Sequence, residues 1–101
     1  MRPIHLVKLD KTRPAVILTR PEVRQRLRSV TVAPITTRVR GLSIEVPVGP
    51  QNGLDGESVI NCDNIATIDA GLVGRAIGFL RADQERALTR AIVAAFNLAP
   101  D

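Results

Sequence analysis

Apolar and polar residues alternate in short stretches through most of the first 80 positions of the chain, and this alternation predicts β-strands. It is clearest in Leu42–Val48, where every second residue is apolar. Pro34 interrupts another stretch, and a proline inside a strand indicates a bulge or an edge position. The pattern predicts strands over residues 4–10, 14–19, 30–37, 42–48 and 73–80, and either two short strands or one bent strand over residues 58–62 and 64–68.

The connections between these strands differ in character. Lys11–Thr12 joins the first two strands and predicts a tight hairpin, although it lacks the Asn and Gly residues that favour such turns. Gly49–Gly53 is rich in turn-forming residues. Residues 20–28 carry four arginines and are expected to form a loop or a short helical turn on the surface.

After residue 80 the apolar spacing becomes that of a helix. Asp83 and Glu85 suit its first turn, where negative charge complements the helix dipole. An apolar stripe follows at Leu88, Ala91, Ile92, Ala95, Phe96 and Ala99. The stripe predicts a helix of about four turns. Short strands followed by one helix predict a mainly β fold, a small and strongly bent barrel with the helix packed on it, in a single domain over residues 1–101.

Composition limits the chemistry available to this chain. Its two aromatic residues, Phe79 and Phe96, lie in apolar patterns and are expected in the core, so a platform for stacking bases is not expected. Cys62 has no partner for an internal disulfide and is expected to be a small buried apolar residue. His5 is expected to be a half-buried strand residue. One His and one Cys cannot form a zinc site from these two ligand types.

The sequence also bears on location. No apolar run approaches the roughly 20 residues that a membrane-spanning helix requires, so we expect no membrane partner. The first residues lack the apolar region and cleavage site of a secretory signal. A single cysteine fits a reducing compartment, and we therefore expect a cytoplasmic protein.

Charge is distributed unevenly along the chain. Residues 1–45 contain ten basic and three acidic residues, a net charge of +7, whereas residues 46–101 contain four basic and seven acidic residues, a net charge of −3. Twelve of the 14 cationic residues are arginines, whose planar fork of donors suits phosphate oxygens. The basic half suggests a surface for a polyanion, although a solvated arginine-rich surface would give the same bias.

Familiar catalytic motifs are absent from the sequence. There is no phosphate-binding loop that ends in Gly-Lys-Ser/Thr, no Gly-x-Ser-x-Gly and no His-Glu-x-x-His. A ribonuclease with two catalytic histidines is excluded because His5 is the only one. Arg13 and Thr36 each stand at a predicted strand end close to a proline. An exposed turn cation and an ordinary strand residue would explain them equally well, so the residues alone leave their roles open.

The chain resembles the MazF/PemK family, the toxin halves of bacterial toxin–antitoxin pairs. The resemblance extends over nearly the whole sequence and depends on the order and spacing of several short segments. These are Ile4–Asp10, Arg13–Ile17, Val32–Thr37, Gly53–Asp55, Ser58–Val59, Cys62–Ile65 and Ile77–Gly78.

This resemblance implies an SH3-like barrel of the MazF/PemK/CcdB type that forms a homodimer. It implies a metal-independent endoribonuclease that needs no cofactor and cuts single-stranded RNA at short sequences. The family's cleavage residues map onto Arg13 and Thr36. A further implied partner is a cognate antitoxin whose acidic, disordered tail crosses the dimer.

One departure from the family lies before Arg13. Typical members carry a longer loop with Gly and Glu there, whereas only Lys11 and Thr12 separate Asp10 from Arg13 in this chain. The family loop is thought to help cover the RNA groove, so its usual sequence preference is in doubt here. We expect RNA contacts from Lys11, Thr37, Arg38 and Arg40. The arginines of residues 20–28 are further candidates for holding the RNA backbone.

Two other functions remain open from the sequence. One is a toxin of the same fold that binds and poisons a protein target such as gyrase. The other is a non-catalytic RNA-binding module, which the scarcity of aromatic residues disfavours. Loss of RNA cleavage on replacing Arg13 or Thr36 would distinguish the endoribonuclease from both.

Overall fold

A computed structural model describes residues 2–99 and consists mainly of short strands followed by one long helix. The strands are β1 (Pro3–Lys8), β2 (Thr12–Ile17), β3 (Ser29–Thr36), β4 (Glu45–Val48), β5 (Ser58–Asn61), β6 (Ala66–Asp69) and β7 (Val73–Phe79). The helices are α1 (Pro21–Arg24) and α2 (Ala82–Ala95), and single 3-10 turns occupy Pro50–Asn52, Cys62–Asn64 and Ala70–Leu72. The mainly β fold with a C-terminal helix is confirmed. No helix in the described residues is long and apolar enough to cross a membrane.

The strands form one antiparallel sheet in the order β4-β5-β3-β2-β1-β7, with β6 also paired to β3. Alternate residues of the central strands enter two different apolar clusters. Val16 belongs to the cluster that α2 covers through Leu88 and Ala91, whereas its neighbours Ala15 and Ile17 belong to the cluster on the other face. The middle of the sheet is therefore buried on both faces, which explains why Ala15, Val16 and Ile17 are apolar in succession.

β3 is the strand that organises the sheet, because it changes partner along its length. Its first half pairs with β6 up to Val32, and its last residues pair with β5 from Ile35 onward. Pro34 lies in the gap between these two ladders, so its missing N–H removes no hydrogen bond from either of them. The predicted interruption at Pro34 is thus a change of partner in a central strand.

The first hairpin turns earlier than its sequence predicts. Lys8 pairs with Thr12, so the turn consists of the three residues Leu9–Lys11 and Thr12 already belongs to β2. The carboxylate of Asp10 stabilises the turn, since its Oδ1 accepts a hydrogen bond from the Lys11 N–H at 2.9 Å. The prediction of a Lys11–Thr12 turn missed this hydrogen bond between a side chain and the backbone of the next residue.

β4 is shorter than the predicted strand 42–48 and begins at Glu45. The Glu45 carboxylate accepts hydrogen bonds from the backbone N–H groups of Arg40 and Leu42 at 3.0–3.2 Å. These bonds, with Gly41 at a φ of 72°, hold the preceding residues in a turn, and Leu42 is 45% exposed instead of buried. The local pattern missed this because a side chain takes the place of a strand partner.

The C-terminal helix also ends before its apolar stripe does. α2 stops at Ala95, and Asn97 adopts a left-handed φ of 50°, a conformation that commonly ends helices. Ala99 therefore lies beyond the helix, and Phe96 is 55% exposed. Phe79 is 51% exposed at the end of the edge strand β7. The expectation that both phenylalanines lie in the core was wrong.

Candidate active site

Arg13, near the start of β2, and Thr36, at the end of β3, lie side by side at the ends of two neighbouring inner strands. The register of β2 and β3 pairs Ala15 with Pro34, and the same register continued by two residues places Arg13 opposite Thr36. Residues directly opposite in antiparallel strands have their Cβ atoms roughly 5 Å apart. A cleft of about 170 Å³ opens here, lined by Arg13, Pro34, Thr36, Arg38, Arg40, Asn61 and Asn64.

Arg13 is held from one side only. Its Nη2 donates to Oδ2 of Asp10 at 2.9 Å, and its side chain is 24% exposed. Its Nε is buried, and it is the only buried side-chain nitrogen or oxygen in residues 2–99 without a hydrogen-bond partner. Leaving a buried donor unpaired costs about 1–3 kcal/mol. Such an orphaned donor is typical of a site arranged for function.

Thr36 lies at the end of β3 and makes a local turn with its hydroxyl group. Its Oγ1 accepts a hydrogen bond from the backbone N–H of Arg38 at 3.1 Å. Because the oxygen is used as an acceptor, the hydroxyl hydrogen is available for donation to another group. The turn also brings Arg38 into the lining of the cleft.

Arg38 and Arg40 add two further cations to the cleft. Both residues are exposed, and neither guanidinium forms an ion pair with any other part of residues 2–99. The Glu45 carboxylate fixes the backbone at Arg40 through the N–H group and leaves the guanidinium free. The cleft therefore combines three arginines, a hydroxyl group and two amides, a set of donors suited to phosphate oxygens.

Asn61 and Asn64 are cleft residues that the sequence analysis did not identify. Asn61 ends β5, and its Oδ1 accepts a hydrogen bond from the Asp63 N–H at 2.9 Å, which leaves its amide hydrogens without a partner in the described residues. Asn64 ends the 3-10 turn that follows. Asn61 lies inside the predicted strand 58–62 and Asn64 opens the predicted strand 64–68, and the sequence does not show that β5 pairs with β3.

Other sequence candidates lie apart from the cleft. Lys11 and Thr37 are exposed neighbours of cleft residues but do not line it. The arginines of residues 20–28 follow the opposite end of β2, about 20 Å away for a strand of this length. In one protomer they cannot grip the same phosphates as Arg38 and Arg40.

His5 and Cys62 have structural environments. His5 is buried, more deeply than the half-buried position expected, and its Nδ1 donates to the carbonyl oxygen of Gly74 at 2.9 Å. Cys62 is buried as expected. Burial, with a smaller contribution from Asp63, raises the pKa of its thiol to about 11, which suppresses the reactive thiolate at neutral pH.

The Asp10 carboxylate stays ionised next to Arg13. The hydrogen bond from the Lys11 N–H is the largest cause that holds the pKa of Asp10 below its usual value, and the charge of Arg13 acts in the same direction. Among residues 2–99 no three His, Cys, Asp or Glu side chains gather closely enough to hold a metal ion.

A larger cleft of about 380 Å³ lies elsewhere and has a different character. Apolar groups such as Pro3, Ile17 and Phe79 form much of its lining. It contains two arginines. Arg2 is engaged by the carbonyl oxygens of Ile17 and Leu18 and lies 3.8 Å from Glu85, whereas Arg24 has no ion-pair partner in residues 2–99. The smaller cleft combines three arginines with a hydroxyl group and two amides and has no carboxylate in its lining, and this chemistry identifies it as the candidate active site.

Solved structures of bacterial toxins share this fold. The Mycobacterium tuberculosis toxin MazF-mt6 superimposes with a TM-score of 0.95 and 58% sequence identity, covering 97% of this chain and 99% of that one. A mycobacterial endoribonuclease in complex with its cognate antitoxin has a TM-score of 0.85 at 22% identity and covers 98% of this chain and 95% of its own. The second similarity is one of fold.

Sequence comparison gives the family. The chain is 59% identical over 98 residues to endoribonuclease MazF3 of Mycobacterium tuberculosis, covering 97% of this chain and 95% of the relative. It is 33% identical over 86 residues to the probable endoribonuclease MazF5 of the same species, covering 84% of this chain and 79% of that relative. Residues 5–96 match the PemK-like, MazF-like toxins of type II toxin–antitoxin systems. The chain belongs to this family.

Proposed function

We propose that this chain is the endoribonuclease toxin of a toxin–antitoxin pair and cleaves single-stranded RNA at short sequences without a metal ion. The main observation behind the proposal is that Arg13, Thr36, Arg38 and Arg40 line one cleft at the ends of the inner strands β2 and β3. The names of its relatives, which are endoribonucleases, support the same function.

The proposed reaction begins with attack of an RNA 2′-oxygen on the adjacent phosphorus. The P–O bond to the 5′-oxygen of the next nucleotide breaks, which leaves a 2′,3′-cyclic phosphate and a 5′-hydroxyl group. Negative charge accumulates on the non-bridging oxygens in the transition state. The Arg13 guanidinium meets this charge with fixed positive charge and hydrogen-bond donors. A guanidinium is a poor proton acceptor and is unsuited to be the base, so we assign Arg13 charge stabilisation.

Thr36 has a complementary role at the same phosphate. Its oxygen already accepts the Arg38 N–H, so its hydroxyl hydrogen is the group available for the substrate. We assign it a hydrogen bond to a phosphate oxygen, which orients the phosphorus for in-line attack. Arg38 and Arg40 then hold neighbouring phosphates, with Lys11 and Thr37 at the margin of the cleft.

The proposal extends to the assembly. We propose that residues 1–101 act as one toxin domain in the cytoplasm, where single-stranded RNA is the substrate and a cognate antitoxin with an acidic, disordered tail restrains it. Exposed apolar side chains support a homodimer, and five of them lie between residues 72 and 98: Leu72, Phe79, Val93, Phe96 and Leu98. A monomer at micromolar concentration in light scattering would contradict the dimer.

Cleavage of single-stranded RNA in excess EDTA tests the function. We expect the unaltered protein to cleave and the Arg13→Ala and Thr36→Ala variants to lose about 10²–10³-fold in rate, the usual effect of removing a transition-state donor. Arg81→Ala is the matched control, because it removes an arginine that pairs with Asp83 away from the cleft. Binding of RNA without cleavage, or full activity in the Arg13 variant, would overturn the proposal.

A further inference from the structure

We propose that Asp10 is a positioning residue that fixes the Arg13 guanidinium for catalysis. This inference rests on the proposed function, because it assigns Arg13 to the transition state. It arises from the shortened turn between β1 and β2, which places a carboxylate three residues before the arginine and within hydrogen-bond distance of it.

The two carboxylate oxygens of Asp10 have separate partners. Oδ1 accepts the Lys11 N–H at 2.9 Å, and Oδ2 accepts Nη2 of Arg13 at 2.9 Å. The first bond anchors the carboxylate to the backbone of the turn. The second passes that constraint to the guanidinium. Asp10 is therefore a fixed support, although its side chain is 73% exposed.

The remaining nitrogens of Arg13 show how far its guanidinium depends on Asp10 for its orientation. Neither Nε nor Nη1 has a hydrogen-bond partner within residues 2–99, and Nε is buried. Asp10 is thus the single hydrogen-bond partner of the guanidinium within residues 2–99, and this bond restrains the orientation of the guanidinium plane. An arginine side chain has several rotatable bonds, and fixing it before substrate binds removes an ordering cost from the transition state.

The charge of Asp10 separates positioning from simple binding. A carboxylate beside a phosphate site repels the substrate, so its removal should leave RNA affinity equal or tighter. Loss of orientation should act on the chemical step. A positioning role therefore predicts that kcat falls while KM does not rise. A carboxylate that only competed with phosphate for Arg13 would instead give a higher kcat/KM when removed.

The kinetic test compares Asp10→Ala and Asp10→Asn with the unaltered protein. We expect kcat to fall about tenfold in Asp10→Ala, with KM unchanged or lower, on the scale of small misplacements of a catalytic group. Asp10→Asn keeps an acceptor oxygen and should recover part of the loss. Asp69→Ala is the matched control. The Asp69 carboxylate also accepts a nearby backbone N–H, that of Gly71 at 2.7 Å, but Asp69 is not paired to an arginine and does not line the cleft.

A double-mutant cycle completes the test. If Asp10 acts through Arg13, adding Asp10→Ala to the Arg13→Ala variant should produce no further loss in single-turnover rate. An unchanged kcat in Asp10→Ala, a loss equal to that of Asp69→Ala, or an undiminished loss in the Arg13→Ala background would overturn the inference. RNA cleavage that depends on Arg13 but not on Asp10 would refute this role and leave the proposed function standing. Cleavage independent of Arg13 would refute both.

Discussion

Two polar regions of this protein treat their hydrogen-bonding groups in opposite ways. In the amide lock, formed by Asn52 and Gln84, the side-chain amides are buried and bonded to each other. Asn52 Oδ1 accepts from Gln84 Nε2 at 3.0 Å and from the Gly49 N–H at 3.0 Å, and Asn52 Nδ2 donates to Gln84 Oε1 at 2.6 Å and to the Phe79 carbonyl at 2.9 Å. In the cleft, Arg13 retains a buried donor without a partner.

We infer from this difference that the amide lock stabilises the fold and that the cleft is available for catalysis. The amide lock ties α2 to the sheet, since Gln84 also donates to the Pro47 carbonyl at 3.3 Å and accepts from the Arg81 N–H at 2.9 Å. Nearby, Gly78 lies so close to the Asn52 carbonyl that no side chain would fit. A fully satisfied network of this kind stabilises one arrangement. In the cleft, by contrast, Arg13 has donors without a partner in the described residues, and we propose that a substrate binds there.

Asn52→Leu should show the largest effect on stability. It removes one half of the amide lock and leaves the other half, the Gly49 N–H and the Phe79 carbonyl unpaired in the interior. We expect the free energy of unfolding to fall by about 3 kcal/mol, measured by denaturant unfolding, because each orphaned group costs roughly 1–3 kcal/mol. Gln51→Leu, an exposed change in the same turn, should have little effect. A similar loss in both variants would contradict the role of the lock.

Thr36→Val should show the converse result. The substitution keeps the branched shape of the side chain and removes the hydroxyl group, so we expect a rate of RNA cleavage about 10²-fold lower. The free energy of unfolding should change by less than about 1 kcal/mol, since the lost bond to the Arg38 N–H is exposed. Thr67→Val, which removes an exposed hydroxyl pair with Thr31, is the matched control for cleavage. Equal activity of the two variants would sink the assignment of Thr36.

Cys62 tests whether the interior beside the cleft excludes charge. Burial raises the pKa of its thiol from an ordinary value of 9.0 to about 11, so the folded state resists ionisation. The stability that the neutral Cys62 thiol contributes to the folded state is fully present below pH 9 and should be lost as the pH rises toward 11. Between pH 9 and 10 the free energy of unfolding should fall by about 1 kcal/mol more in the unaltered protein than in Cys62→Ala. Parallel curves would show that the thiol is accessible to water.

Arg38→Ala combined with Arg40→Ala should give the smallest effect. The two guanidiniums have no ion-pair partner in the described chain, so they are free for the RNA phosphates that we propose they bind. We expect the slope of log affinity against log salt to become shallower by about 1.4, since each phosphate contact to a single strand adds about 0.7. The double variant Arg86→Ala with Arg90→Ala, two exposed arginines of α2, provides the comparison. An unchanged slope would remove these residues from the RNA interface.

The sequence predicted the secondary structure better than the environment of individual side chains. Strand positions follow from a local alternation, and each described strand falls in or close to a predicted one. The positions of Phe79 and Phe96 depended on where an edge strand and a helix end, and Asn97 ends the helix through its backbone conformation. The pattern of apolar residues does not show where the edge strand or the helix ends.

The cleft shows the same limit for function. Arg13 and Thr36 were identified through a family resemblance, and the register that brings them together joins segments more than 20 residues apart. Asn61 and Asn64 were missed because they reach the cleft through the pairing of β5 with β3. The contact between Asp10 and Arg13 is local, yet it depended on a turn one residue longer than predicted.

The chemical identity of the cleaved RNA ends tests most directly whether Arg13 promotes attack by the RNA 2′-oxygen without a metal ion. Single-stranded RNA would be incubated in excess EDTA with the unaltered protein and with Arg13→Ala, and both ends at each cut would be identified. We expect a 2′,3′-cyclic phosphate and a 5′-hydroxyl group, formed at least about 10²-fold more slowly by the Arg13 variant. Ends that carry a 5′-phosphate, or equal rates for the two proteins, would contradict it.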